Sequence, residues 1–138
     1  MRHAMLLLVT LAIAGCGKDA PERVSTVYKS DAEWWFVDNT AIRKTQGGAI
    51  AVVQRSLMYA APLRIDARKL GLPEIDERQT TVRFDCIART YTPIRLRIVY
   101  LEKERPVVED LPEKVDTPTP GGAWDQALEH VCNQATSE

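Results

Sequence analysis

Three groups of residues in this chain have side chains that could do chemistry. They are three cysteines (Cys16, Cys86, Cys132), two histidines (His3, His130) and a spaced set of arginines (Arg83, Arg89, Arg95, Arg97). A thiol can serve as nucleophile, metal ligand or half of a disulfide, and its neighbours and redox compartment decide which. No CxxC occurs, and the histidine nearest the later thiols is His130, so a zinc or dithiol redox site has no spacing to support it. His130 and Glu129 have the chemistry of a base and its orienter, but no nucleophile is tied to them by pattern. HExxH, GxSxG and a phosphate-cradling Gly loop are missing from the sequence. The acid pairs Glu74/Asp76 and Glu109/Asp110 fall in turn-like or edge contexts that suit solvation. The expectation is a protein that is not an enzyme, with no cofactor and no metal site.

The first residues fix a destination. Met1-Arg2-His3 is a short basic start, Ala4 to Ala14 is apolar or small apart from Thr10, and Ile13-Ala14-Gly15-Cys16 follows. A charged n-region, a short apolar h-region and small residues before a cut mark an export signal too short to span a bilayer. The ending resembles a bacterial lipobox. That resemblance implies that residues 1–15 are removed and that Cys16 becomes the lipidated N-terminus, whereas in an ordinary signal peptide Cys16 would be incidental. Gly17 after the cysteine resembles an outer-membrane address rather than inner-membrane retention. Attachment would then rest on acyl chains, of which two or more hold firmly and one only marginally.

With Cys16 committed to lipid, Cys86 and Cys132 remain in an oxidising compartment. Two leftover thiols in a small exported domain most simply form one disulfide. Closing a loop of some tens of residues stabilises by roughly 4 kcal/mol in the chain-entropy model. The chain has 138 residues, enough for one domain, with 18 basic against 19 acidic side chains. That balance argues against a general nucleic-acid or anionic-membrane binder.

These residues must be positioned by an antiparallel sheet and one helix. Gly17 to Ser30 is polar, contains Pro21 and reads as a flexible tether, with residues 31–138 as the domain. Glu33 to Asp38 reads as a first strand, Asp38-Asn39-Thr40 as a turn or helix entry, and Gly47-Gly48 as a tight turn before a strand from Ala49 to Met58. Tyr59 to Arg78 has mixed character, with a short helix expected around Arg64 to Leu70. Gln79 to Arg89 alternates, with Thr80, Val82, Phe84 and Cys86 on one face, and Tyr91 to Leu101 alternates in the same way. Period two with one apolar face is the habit of an antiparallel sheet, and Pro93 requires an edge, a bulge or a strand start. Pro106 to Leu111 offers another strand after a charged turn. Beyond the loop Asp116 to Gly122, the spacing of Trp124, Ala127, Leu128, Val131 and Cys132 predicts a helix from Ala123 to Cys132. Both patterns place Cys86 and Cys132 on buried faces, so their bond would pin helix to sheet. His130, in the last turn of that helix, would act as a cation at the helix C-terminus.

Trp35 to Lys44 resembles the opening of the surface-adhesin protein E-like family, in which an aromatic strand enters an Asp, Ser/Thr, Ile and basic residues. Phe84 to Tyr91 is similar to its Asp-Cys segment followed by a basic residue and Tyr, and Ala123 to Cys132 resembles its closing helix. The resemblance covers Trp34 to Cys132. The chain departs from the family in offering Val52-Val53 where an aromatic is common, and in lacking Gly at Glu102 to Arg105. The resemblance implies an α+β fold, an antiparallel sheet with a C-terminal helix packed on one face and one disulfide. By its name it also implies adhesion to host matrix proteins.

The arginines Arg83, Arg89, Arg95 and Arg97 would leave the non-core face of the two best strands, with Asp85 as a partial counterion. They form either a basic patch for acidic protein segments, sulfated glycans or lipid phosphates, or a solvated face that discourages edge-to-edge pairing. Of Trp34 and Trp35, one must face the core and the other not. An outward indole would be a contact anchor unless the chain covers it. The candidate partner-binding residues are Arg83, Arg95, Arg97 and Trp35, with the Tyr59 to Arg78 loop as a second surface. The functional expectation is an adhesin-like, non-catalytic lipoprotein of the outer membrane. The alternative is a periplasm-facing envelope lipoprotein with a structural or assembly role, and capture of a small apolar ligand between sheet and helix is a third class that needs a cavity.

Overall fold

The computed structural model describes residues 22–57, 75–100 and 105–137. The expected helix at Arg64 to Leu70, the lipidation site Cys16 and the turn residues 101–104 lie outside the described residues. Seven strands form one antiparallel sheet: β1 (Val24–Lys29), β2 (Glu33–Asp38), β3 (Arg43–Thr45), β4 (Gly48–Leu57), β5 (Ile75–Asp85), β6 (Thr90–Tyr100) and β7 (Val107–Asp110). Their order is β1-β2-β4-β5-β6-β7, with β3 also paired to β4. Among the described residues one α-helix, α1 (Ala123–Thr136), packs on one face. The antiparallel α+β architecture expected from the alternation is therefore the one observed.

Two expected boundaries move. Val24–Lys29, inside the segment read as tether, is strand β1, paired with β2 from Val24↔Asp38 to Lys29↔Trp34. Its polar Ser25 and Thr26 hide the signal, and β2 supplies the pairing that the local sequence does not advertise. Cys86 and Arg89 are not strand residues: β5 ends at Asp85 and residues 86–89 form a tight turn. Asp85 builds that turn by accepting hydrogen bonds from the amides of Ile87 (3.0 Å) and Ala88 (2.8 Å). Arg89 closes it in the left-handed region at φ 58°.

The same chemistry breaks the second strand. Asp38 accepts from the Thr40 amide (3.0 Å) and the Thr40 hydroxyl (2.6 Å), starting a 3-10 turn at Asn39–Ala41. β2 and β3 then continue along one edge of β4, with Val37↔Val53 before the turn and Arg43↔Ile50 after it. Gly47 takes φ 78° in the turn into β4. Pro93 is accommodated by a bulge, because β5 and β6 slip register between Thr81↔Arg95 and Val82↔Pro93.

The core lies between the sheet and α1. Trp35, Val37, Ala49, Ala51, Val53, Val82 and Phe84 come from the strands, and Ala127, Leu128, Val131, Cys132 and Ala135 from the helix. Cys86 and Cys132 are bonded, 46 positions apart in the sequence and with Cα atoms 5.7 Å apart. The bond joins the β5–β6 turn to the third turn of α1, so the helix is tied to the sheet as expected. The helix runs past Cys132 to Thr136, which leaves His130 in its interior rather than at its end.

Candidate functional site

One face of the sheet packs against α1 and the opposite face does not. On the open face β5 and β6 bring Arg83, Arg95 and Arg97 together, through the register pairs Arg83↔Thr92, Thr81↔Arg95 and Gln79↔Arg97. Each has an intrachain partner. Arg83 meets Glu113 at 3.1 Å, Arg95 meets Asp110 at 2.7 Å, and Arg97 donates to the Gln79 side-chain oxygen at 3.1 Å. Asp110 stands opposite Arg95 because β7 pairs with β6 there. Arg89 leaves this group. Its turn carries it to the start of α1, where it meets Asp125 at 3.2 Å. Asp85, expected as a counterion of the patch, is occupied by the turn amides instead.

The tryptophans divide as strand geometry requires, but Trp35 is the inward one, at 5% exposure. That burial corrects its reading as an outward anchor. Its neighbours on the inner face of β2 and β4 are Val37 and Val53, and its indole N–H donates to Glu33 at 2.7 Å. Trp34 faces the open side, half-buried, with the Lys29 ammonium 4.0 Å from its ring centroid and Phe36 tilted against it at 6.3 Å. Beside Phe36, a hollow of about 450 Å³ is lined by Val52, Gln54, Gln79, Arg23 and Asp38.

The helix face holds a second arrangement. Trp124 of α1 stacks on Tyr91 (4.6 Å, 16°) and meets Trp35 edge-on (4.8 Å, 89°), so four aromatics from Tyr28 to Tyr91 run across the sheet. Burial, and then the Asp116 charge, raise the Tyr91 phenol above its ordinary pKa. Next to this row lies a cleft of about 210 Å³ with walls from Trp35, Trp124, Leu96 and Leu111. Arg55 and Arg78 also line it, directly opposite each other in the β4–β5 register. Glu33 bonds Arg55, and that hydrogen bond is the main reason its carboxyl lies below the usual range. Burial works against the shift, while the Trp35 hydrogen bond and the charges of Arg55 and Arg78 add to it. The Nε–H groups of Arg55 and Arg78 are both buried without a hydrogen-bond partner.

Sequence reasoning missed these two arginines, although a signal existed. Arg55 continues the inward series Ala49, Ala51, Val53, and Arg78 precedes the inward series Thr80, Val82, Phe84. A charged residue at a core-phase position of a strand is the mark of a lined cleft or a buried pair.

No family model matches this chain, and no curated protein matches it. Among solved structures, the crystal structure of protein E from non-typeable Haemophilus influenzae superposes with a TM-score of 0.54, at 11% sequence identity, covering 85% of this chain and 80% of that one. At that identity the likeness concerns the fold: this chain has a fold similar to that of protein E.

Proposed function

We propose that this chain is an outer-membrane lipoprotein, anchored through Cys16, whose domain binds an acidic segment of a protein partner with the sheet face opposite α1. The observation that carries the reading is that, among the described residues, the sheet is covered by the helix on one side only. That cover leaves Arg83 and Arg95 exposed and Trp34 and Phe36 half-buried on one continuous face. The ion pairs to Glu113 and Asp110 join side chains that are 47–77% exposed. Exposed pairs contribute about 0–1 kcal/mol each, so a partner's carboxylates can replace them at little cost. Trp34 supplies the aromatic contact that interfaces favour. Likeness to the protein E fold and the export signal support an envelope location and an adhesin-like role, with host matrix or envelope proteins as the partner class.

The test is binding of the purified domain to immobilised extracellular-matrix proteins and to an acidic peptide, for the parent and for the double variant Arg95→Glu, Arg97→Glu. The reading expects a loss of at least about tenfold and a steep decline with salt. Equal binding by parent and double variant rejects this face as the binding surface.

A further inference from the structure

Among the described residues, the cleft on the helix side is short of one anion. Arg55 and Arg78 stand directly opposite each other, an arrangement that is unfavourable for like charges unless an anion lies between them. Glu33 is the carboxylate beside them, and it is already committed, with one oxygen on Arg55 and the other on the Trp35 indole N–H. Arg78 forms no ion pair among the described residues, and its Nε–H is buried and unmatched, as is that of Arg55. Among the described residues, two guanidinium groups therefore share one carboxylate at the rim of a cleft whose other walls are mainly apolar, with Trp35, Trp124, Leu96 and Leu111 beside Val53, Pro93 and Thr80.

From this juxtaposition we infer that the cleft binds a small arylalkyl carboxylate, with its ring against the wall that the contacting Trp35 and Trp124 indoles form and its carboxylate on Arg78. The charge selects an anion, and guanidinium groups take carboxylates through paired, charge-assisted hydrogen bonds. The walls select an aromatic body, since indoles offer edge and face contacts to a ring. The volume sets the size: a cavity of about 150 Å³ holds benzene, so about 210 Å³ holds a ring and a short acid arm. A neutral apolar ligand would leave Arg78 unmatched, and an inorganic anion would leave the indole walls wet. The site lies on the face opposite Arg83, Arg95 and Arg97, so its fate is independent of the function proposed above.

Phenylacetate and phenylacetamide are suitable probes, titrated into the full folded domain while the indole N–H signals of the three tryptophans are followed by NMR. The expected result is that phenylacetate shifts the Trp35 and Trp124 signals and leaves that of Trp34 in place. Phenylacetamide is expected to bind at least tenfold more weakly. Arg78→Met, which keeps the length and removes the charge, is expected to abolish the preference for the acid. The comparison of acid with amide uses the unaltered chain, so it stands even if the variant folds poorly. Equal affinity for acid and amide, shifts confined to Trp34, or no shift at millimolar phenylacetate would overturn the inference.

Discussion

His130 and Asn39 meet at 2.7 Å, Nε2 to Oδ1, across 91 residues of chain. Asn39 donates through its amide nitrogen to the Glu22 carbonyl (2.7 Å) and the Ser25 hydroxyl (2.8 Å). Its amide oxygen is thus the acceptor, and the neutral imidazole must carry its proton on Nε2. This contact holds the interior of α1 to the 3-10 turn and, through Asn39, to the start of β1. It replaces the expected role of His130 as a cation at the helix end, because the helix continues to Thr136.

Burial holds the His130 imidazolium below its ordinary pKa. The unfolded chain therefore binds the proton more readily, and stability falls as pH drops below about 6.5, the value of a free histidine. Glu33 and Asp38 are shifted down by hydrogen bonds, chiefly from Arg55 and Thr40 respectively, so their contributions are present at neutral pH and fade only in the carboxylate range. Urea midpoints measured at pH 7.5 and 5.5 are expected to differ for the parent and to converge in His130→Gln, which keeps a donor for Asn39. An equal difference in both proteins would remove His130 as the cause.

The disulfide should matter more than any single contact. Replacing Cys86 and Cys132 together with Ala is expected to cost about 2–5 kcal/mol, read as a lower denaturation midpoint. Mass spectrometry of the unreduced domain should find no free thiol at either position, and two free thiols would contradict the bond.

Gly48 has no room for a side chain. A Cβ there would lie 1.9 Å from the Phe84 carbonyl oxygen, a backbone atom in the paired strand. Gly48→Ala should destabilise by more than about 2 kcal/mol through this overpacking. Gly121→Ala meets no atom within 4 Å and faces only its φ of 74°, at about 1–2 kcal/mol. Thermal melts ranking Gly121→Ala as the worse of the two would refute the β4–β5 register at Gly48↔Asp85.

The two adjacent indoles should behave oppositely. With Trp35 at 5% exposure, Trp34→Phe is expected to lower acrylamide quenching of the domain and Trp35→Phe to raise its average. The reverse pattern would place β2 with its faces exchanged.

Most of this architecture was legible because alternation and helical spacing report burial, as Val82, Phe84, Leu128 and Val131 show. The pairing of Cys86 with Cys132 followed from their being the two cysteines left over and from the buried face of the helix at Cys132, although Cys86 lies in the turn after β5 and not on a strand face. What escaped was set by partners remote in sequence. β1 is ordered by β2, and the end of β5 is decided by Asp85 capping its own turn. Of the four arginines grouped on one face, Arg83, Arg95 and Arg97 share it and Arg89 does not, and the intrachain acids Glu113 and Asp110 depend on β7 and the segment after it, which no local pattern registers. Trp34 and Trp35 could be divided by strand geometry alone, yet which one faces inward depends on where the helix packs.

Labelling and protease accessibility of the domain on intact and permeabilised cells, beside a periplasmic control, decides whether the open sheet face can meet a partner outside the cell. The proposed function predicts labelling on intact cells while the control stays protected. Labelling only after permeabilisation would contradict it and leave a periplasm-facing envelope lipoprotein in its place.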